Sequence, residues 1–159
     1  MNVSAAEDGS KEFVLNDLDA PIGTLEFASI HESGHVVAAK SVGFTVSGAS
    51  VFQLSKPGIG LYWKGTTRIR GSGRGMAVAK MGGNFAEFFL DQHNRFRVPS
   101  FLDIVGNRNV ISQTDVITSS DLYGESLTEA QHRTYRALTA NASMLNRVYL
   151  QLKTKRSYP

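Results

Sequence analysis

The chain has 159 residues, a length suited to one domain with a core of its own. It contains no cysteine, which excludes disulfides, thiolate zinc ligands and a cysteine nucleophile, and leaves metal binding to His, Asp and Glu. A net charge of +3 and a pI near 9.3 are too mildly basic to mark a nucleic-acid-binding protein, and no apolar run approaches the ~20 residues that span a bilayer.

Residues 1 to 19 are polar and acidic around Glu7, Asp8 and Glu12 and lack the basic start and apolar centre of a signal peptide. They read as a flexible leader, and the chain reads as cytoplasmic with no membrane segment. Residues 20 to 159 read as one domain. Pro21 and Thr24 introduce a helix that runs to about Val42, with Leu25, Ala28, Ile30, Val36, Val37 and Ala38 on its apolar side and Gly43 as its stop. Two strand-like runs follow, Thr45 to Leu54 and Ile59 to Trp63, joined by the turn Lys56-Pro57-Gly58 into a β-hairpin. Lys64 to Gly75 is rich in Gly and Arg and reads as a loop. A second helix is expected from about Met76 to Asn94, with Met81, Phe85, Phe88 and Phe89 as core candidates. A short helix is expected near Phe101 to Val105, and a broken helical stretch from Thr118 to about Lys155. The expected class is mainly α (α+β): a helical domain with a small hairpin or sheet beside its first helix.

The chemistry concentrates in His31-Glu32-Ser33-Gly34-His35. Residues four apart on a helix lie one turn apart on one face, so both imidazoles can ligate one Zn²⁺. Glu32, beside the first ligand, is placed to take a proton from water on the metal and return it to a leaving amine. About one shuffled sequence in a few hundred would carry such a motif by chance. The competing reading is a surface helix with two solvated histidines. Ile30, Val36 and Val37 argue against it, because they imply a buried helix. Gly34 costs about 1 kcal/mol inside a helix, which makes sense where another element packs closely.

A catalytic zinc takes a third protein ligand and keeps one position open. The sequence offers Glu87, Asp91, His93, Asp115, Asp121, Glu125 and His132, and spacing does not choose among them. Asp121 also fits a capping box in Thr118-Ser119-Ser120-Asp121, where it would tie down a helix start. Glu87 reads either as an orienting partner of a ligand or as an ordinary helix pair. Tyr62 and Trp63 read as core or cleft lining. The strand Leu61-Tyr62-Trp63 also offers an edge to which an extended peptide could pair. The stretch Arg68 to Gly75 matches no phosphate-binding fingerprint and reads as a solvated loop, so nucleic acid is not an expected partner. Lys153, Lys155 and Arg156 read as helix-end cations.

The segment FASIHESGHVVAAKSV, Phe27 to Val42, resembles the active-site helix of the FtsH-type AAA zinc proteases. Gly60-Leu61-Tyr62-Trp63 is similar to that family's following strand pair. Met81-Gly82-Gly83-Asn84-Phe85-Ala86-Glu87 resembles its Gly-Gly-Arg-Ala-Ala-Glu helix, and Thr118 to Leu122 its Ser-Asn-Asp-Leu segment. The resemblance covers most of residues 25 to 125. It implies a zincin-like metallopeptidase fold and Zn²⁺ held by His31, His35 and Asp121, with Glu32 as general base. Ser33 replaces an alanine, Asn84-Phe85 replaces Arg-Ala, and no ATPase motif is present. The expected activity is therefore ATP-independent hydrolysis of flexible or unfolded polypeptides, with a separate ATPase or a homo-oligomer as candidate partner. The alternative is an inactive peptidase-like binding module that retains the metal site.

Overall fold

A computed structural model describes residues 2–5, 11–15, 23–71, 73–107 and 117–159. In chain order these form β1 (Asn2–Ala5), β2 (Lys11–Leu15), α1 (Leu25–Ser41), β3 (Thr45–Lys56), β4 (Gly60–Gly71), α2 (Met76–Ala86) and a 3₁₀ turn (Glu87–Phe89). Then come α3 (Phe101–Val105), α4 (Ser119–Leu122), α5 (Leu127–Ala140), α6 (Ala142–Lys155) and β5 (Ser157–Tyr158). Among the described residues the strands make one antiparallel sheet in the order β1-β2-β4-β3-β5. The class is α+β. No helix among these residues is long and apolar enough to cross a membrane.

Helix α1 is the centre of the molecule. Thr24 caps it by accepting the Phe27 N–H at 3.1 Å, and every residue from Ala28 to Ala39 is buried. A helix buried all round must have partners on several sides. The hairpin β3–β4 packs on one side, and α2 and α6 on others. Ile30, Val37 and Ala38 share one apolar cluster with Met81, Phe85, Leu138, Leu145 and Tyr149.

The approach of α2 to α1 is unusually close, and Gly34 and Gly82 cause it. A methyl on Gly34 would run into the Gly82 carbonyl and the Ala86 methyl, and one on Gly82 would lie 2.5 Å from both Ala38 Cβ and Gly34 O. The helices therefore touch backbone to backbone, which is the close packing that Gly34 implied. Gly34→Ala is expected to lower stability by about 1–3 kcal/mol, because backbone atoms cannot yield as a flexible side chain could. An unshifted urea midpoint would show that the helices are not this close.

Three expectations are corrected. The segment expected to be a flexible leader supplies two strands: β2 pairs with β4 from Lys11↔Gly71 to Leu15↔Thr67, and β1 pairs with β2. Phe13 and Leu15, two apart, both reach the core with Phe44 and Ile69. The loop expected at Lys64–Gly75 is instead strand up to Gly71. Gly65, Thr67 and Ile69 are buried, while the residues between them are at least partly exposed. This period of two was masked by the loop-like content of Arg and Gly. The sheet is thus larger than a small hairpin. Finally, α2 ends at Ala86 rather than near Asn94. Asp91 Oδ1 accepts the N–H groups of His93 and Arg95, and Asn94 turns left-handed at φ 59°, so the chain folds back and Leu90 bridges Phe96.

Candidate metal centre

His31 and His35 lie on the α1 face that meets α2, and both rings are buried. His35 Nδ1 is 2.7 Å from the Ala79 carbonyl oxygen. A carbonyl only accepts, so Nδ1 of His35 carries the proton and donates. His31 Nδ1 donates likewise to Glu87 Oε2 at 2.5 Å. Each neutral ring then presents a lone pair on Nε2, and the two Nε2 atoms face each other at 3.1 Å. Two lone pairs at that distance repel unless a proton or a metal ion lies between them, and a proton there makes an N–H···N hydrogen bond. The separation is close to the ~3.3 Å between the nitrogens of two ~2.05 Å zinc–nitrogen bonds at a tetrahedral angle.

Gly83 supplies the space. A methyl at Gly83 would lie 2.5 Å from His35 Nε2 and 2.6 Å from His31 Nε2. The missing side chain thus leaves a cradle equidistant from both nitrogens. Its position follows from the close helix crossing, which sets Ala79, Gly83 and Glu87, spaced four apart on α2 and its 3₁₀ extension, against the histidines. The donor set and the cradle fit a zinc-sized cation. The Glu87–His31 bond is the contact that the reading of Glu87 as an orienting partner of a ligand requires.

Glu32 is 2 % exposed and lies between α1 and β4. Its Oε1 accepts from Thr67 Oγ1 at 2.7 Å, and its Cγ packs where a side chain on Gly65 would stand. Strand β4 therefore both fixes the carboxylate and, through a glycine, makes room for it. The sequence did not single out Thr67 or Gly65. The signal was the alternation of β4, read as loop.

No family model, curated protein or solved structure matches the chain.

Asp121 is placed differently. It occupies the third position of α4, where its Oδ2 accepts the Thr118 N–H at 3.0 Å and the Thr118 hydroxyl accepts its own N–H at 3.2 Å. The capping reading is thus present in full. The same Oδ2 also accepts from Lys80 Nζ at 2.6 Å. Burial pushes the Asp121 carboxyl up, but the hydrogen bond and charge of Lys80, together with the Thr118 N–H, outweigh it and hold the pKa below the usual value. Lys80 was not singled out in the sequence. A lysine as the one charged residue of a fully buried helix calls for a carboxylate partner, and that signal was readable.

Among the described residues no three His, Asp or Glu side chains gather into one metal-holding group. Of the other candidates, Asp91 pairs with Arg95 at 2.9 Å, Glu125 with Arg133 at 2.7 Å, and His132 stacks on Phe101. His93 is exposed, and Asp115 lies outside the described residues. The edge expected at Leu61, Tyr62 and Trp63 is partly closed, because Trp63 N–H donates to Gly23 O at 2.9 Å. Leu61 is 69 % exposed. Arg156, expected as a plain helix-end cation, lies over the Trp63 ring at 5.0 Å. Arg68 and Arg70, expected in a solvated loop, both reach Glu12 on β2.

Proposed function

We propose that this chain is a zinc-dependent endopeptidase of zincin-like, FtsH-related type that hydrolyses flexible or unfolded polypeptides. The observation that supports it most is the pair of facing Nε2 atoms with the Gly83 cradle between them. His31 and His35 would hold the metal. Asp121 is the third ligand that the family resemblance implies, and its Oδ2 is engaged by Lys80. Zinc, when bound, acidifies a bound water toward pKa ~7 and polarises a carbonyl.

The chain's own groups account for the remaining steps. Glu32, oriented by Thr67, accepts a proton from the attacking water and returns it to the leaving amine. Glu87 holds the His31 ring in place through Nδ1. The exposed Leu61 end of β4 offers the substrate an extended backbone to lie along. No Gly-x-x-x-x-Gly-Lys-Ser/Thr stretch occurs in these 159 residues, so they do not themselves couple ATP hydrolysis to the unfolding of stable substrates. A cytoplasmic setting accords with this reading.

One observation favours a second reading, a peptidase-like binding module without turnover: Asp121 is already engaged by Lys80. Zinc analysis of purified variants tests the metal site that both readings share. The proposal expects about one zinc per chain, lost in His31→Ala/His35→Ala and weakened by at least about 10-fold in Asp121→Ala. Lys80→Met should leave zinc bound at least as tightly, because it frees the carboxylate. Stoichiometric zinc in the double histidine variant would end the assignment. Unchanged affinity in Asp121→Ala would leave Asp121 with its ion pair and cap alone.

A further inference from the structure

A cleft of about 440 Å³ adjoins the candidate centre, with Glu87, Leu90, Asp91, Gln92, Arg95 and Arg97 among its walls. Its size admits a substrate side chain with part of its backbone. Glu87 is shared between this cleft and His31, so whatever enters it lies close to the metal centre.

The charges in the walls are unequally engaged. Glu87 accepts from the neutral His31 ring and keeps its negative charge, at the side of the cleft that meets the histidines. Asp91 accepts the N–H of Arg95 at 3.0 Å, that of His93 at 2.8 Å and the Arg95 Nε at 2.9 Å. These bonds, the Arg95 N–H foremost, hold its carboxyl at about 2, so Asp91 and Arg95 neutralise each other. Arg97 remains. It is exposed and has no ion-pair partner among the described residues, whereas its backbone N–H is fixed to Phe89 O at 2.8 Å. The turn that carries it is closed by the Leu90–Phe96 bridge and pinned by Phe96 against the buried Phe89 ring. A guanidinium on a rigid turn, beside a neutralised acid, is suited to a planar carboxylate.

We propose that this cleft is a carboxylate-binding subsite in which Arg97 selects substrates with an acidic group near the scissile bond. The inference rests on the peptidase reading of the neighbouring centre. The acidic group is either an Asp or Glu side chain or the carboxylate at the substrate's C-terminus.

The test is fluorescence anisotropy with labelled peptides and zinc-loaded Glu32→Gln protein, which binds without cleaving. One peptide pair carries Glu or Gln internally with an amidated C-terminus. A second, neutral pair has a free or an amidated C-terminus. The acidic member of at least one pair should bind about ten-fold more tightly, and Arg97→Ala in the same background should abolish the difference while Arg97→Lys retains part of it. Which pair shows the preference identifies the source of the carboxylate. Equal binding within both pairs, or a preference that survives Arg97→Ala, overturns the subsite. Cleavage by the native chain with no acidic preference removes the subsite and keeps the peptidase. An Arg97-dependent preference with no cleavage keeps the subsite and removes the peptidase.

Discussion

Glu32→Gln is expected to retain zinc and to lose peptide hydrolysis by about 10²- to 10⁴-fold, the usual worth of a positioned general base. The substitution isolates the chemistry because the surroundings can stay as they are. Gln has the same shape as Glu, so it fits the space against Gly65, and its Oε1 can still accept the Thr67 hydroxyl. The histidine Nδ1 atoms are bonded to Ala79 and Glu87, partners that the substitution leaves in place. What the variant lacks is a group that can accept a proton and pass it on. Unfolded casein or a quenched peptide library provides the assay, with zinc content measured on the same preparations. Equal rates in the two proteins would assign the activity to a contaminant. Zinc in both with hydrolysis in neither would favour the binding module.

The parts of this site that were legible in the sequence are those that one helix carries alone. His31, Glu32 and His35 share α1, so helical spacing sufficed to place them, and Thr24 announced the helix start. Gly34 was legible in a weaker sense: its cost in a helix implied a close neighbour without naming Gly82. The Glu87–His31 bond spans 56 residues, and Glu87 stood in the sequence as one acidic candidate among several. The Lys80–Asp121 pair depends on where α4 docks on α2, which local propensity does not specify. The missed length of β4 has a different cause. Its alternation was present, but inward Gly65 and Thr67 are weak apolar markers beside outward Arg68 and Arg70. The misplaced residues therefore hid Thr67, which positions the catalytic candidate.

Gly83→Ala is expected to empty the metal site without unfolding the protein. The new methyl would stand 2.5 Å from His35 Nε2, 2.6 Å from His31 Nε2 and 2.8 Å from His31 Cε1. It would occupy the position from which a cation reaches both nitrogens. The rings cannot simply swing aside, because Ala79 O and Glu87 hold their far nitrogens. The helix cannot withdraw without opening the Gly34–Gly82 contact one residue away. Helix propensity works the other way, since Ala is favoured over Gly by about 1 kcal/mol, so part of the steric cost is offset and the fold should persist. Zinc affinity should fall by at least about 100-fold, beyond the effect of losing a ligand-orienting partner. Gly82→Ala is the control: its methyl meets Ala38 and the Gly34 carbonyl rather than the imidazoles, so it should lower the melting temperature with less effect on zinc per folded chain. Metal content after dialysis, read beside thermal melts of both variants, separates the two effects. Native zinc affinity in Gly83→Ala would show that the metal does not lie between the two Nε2 atoms, and the cradle would then be a packing feature of α1 and α2.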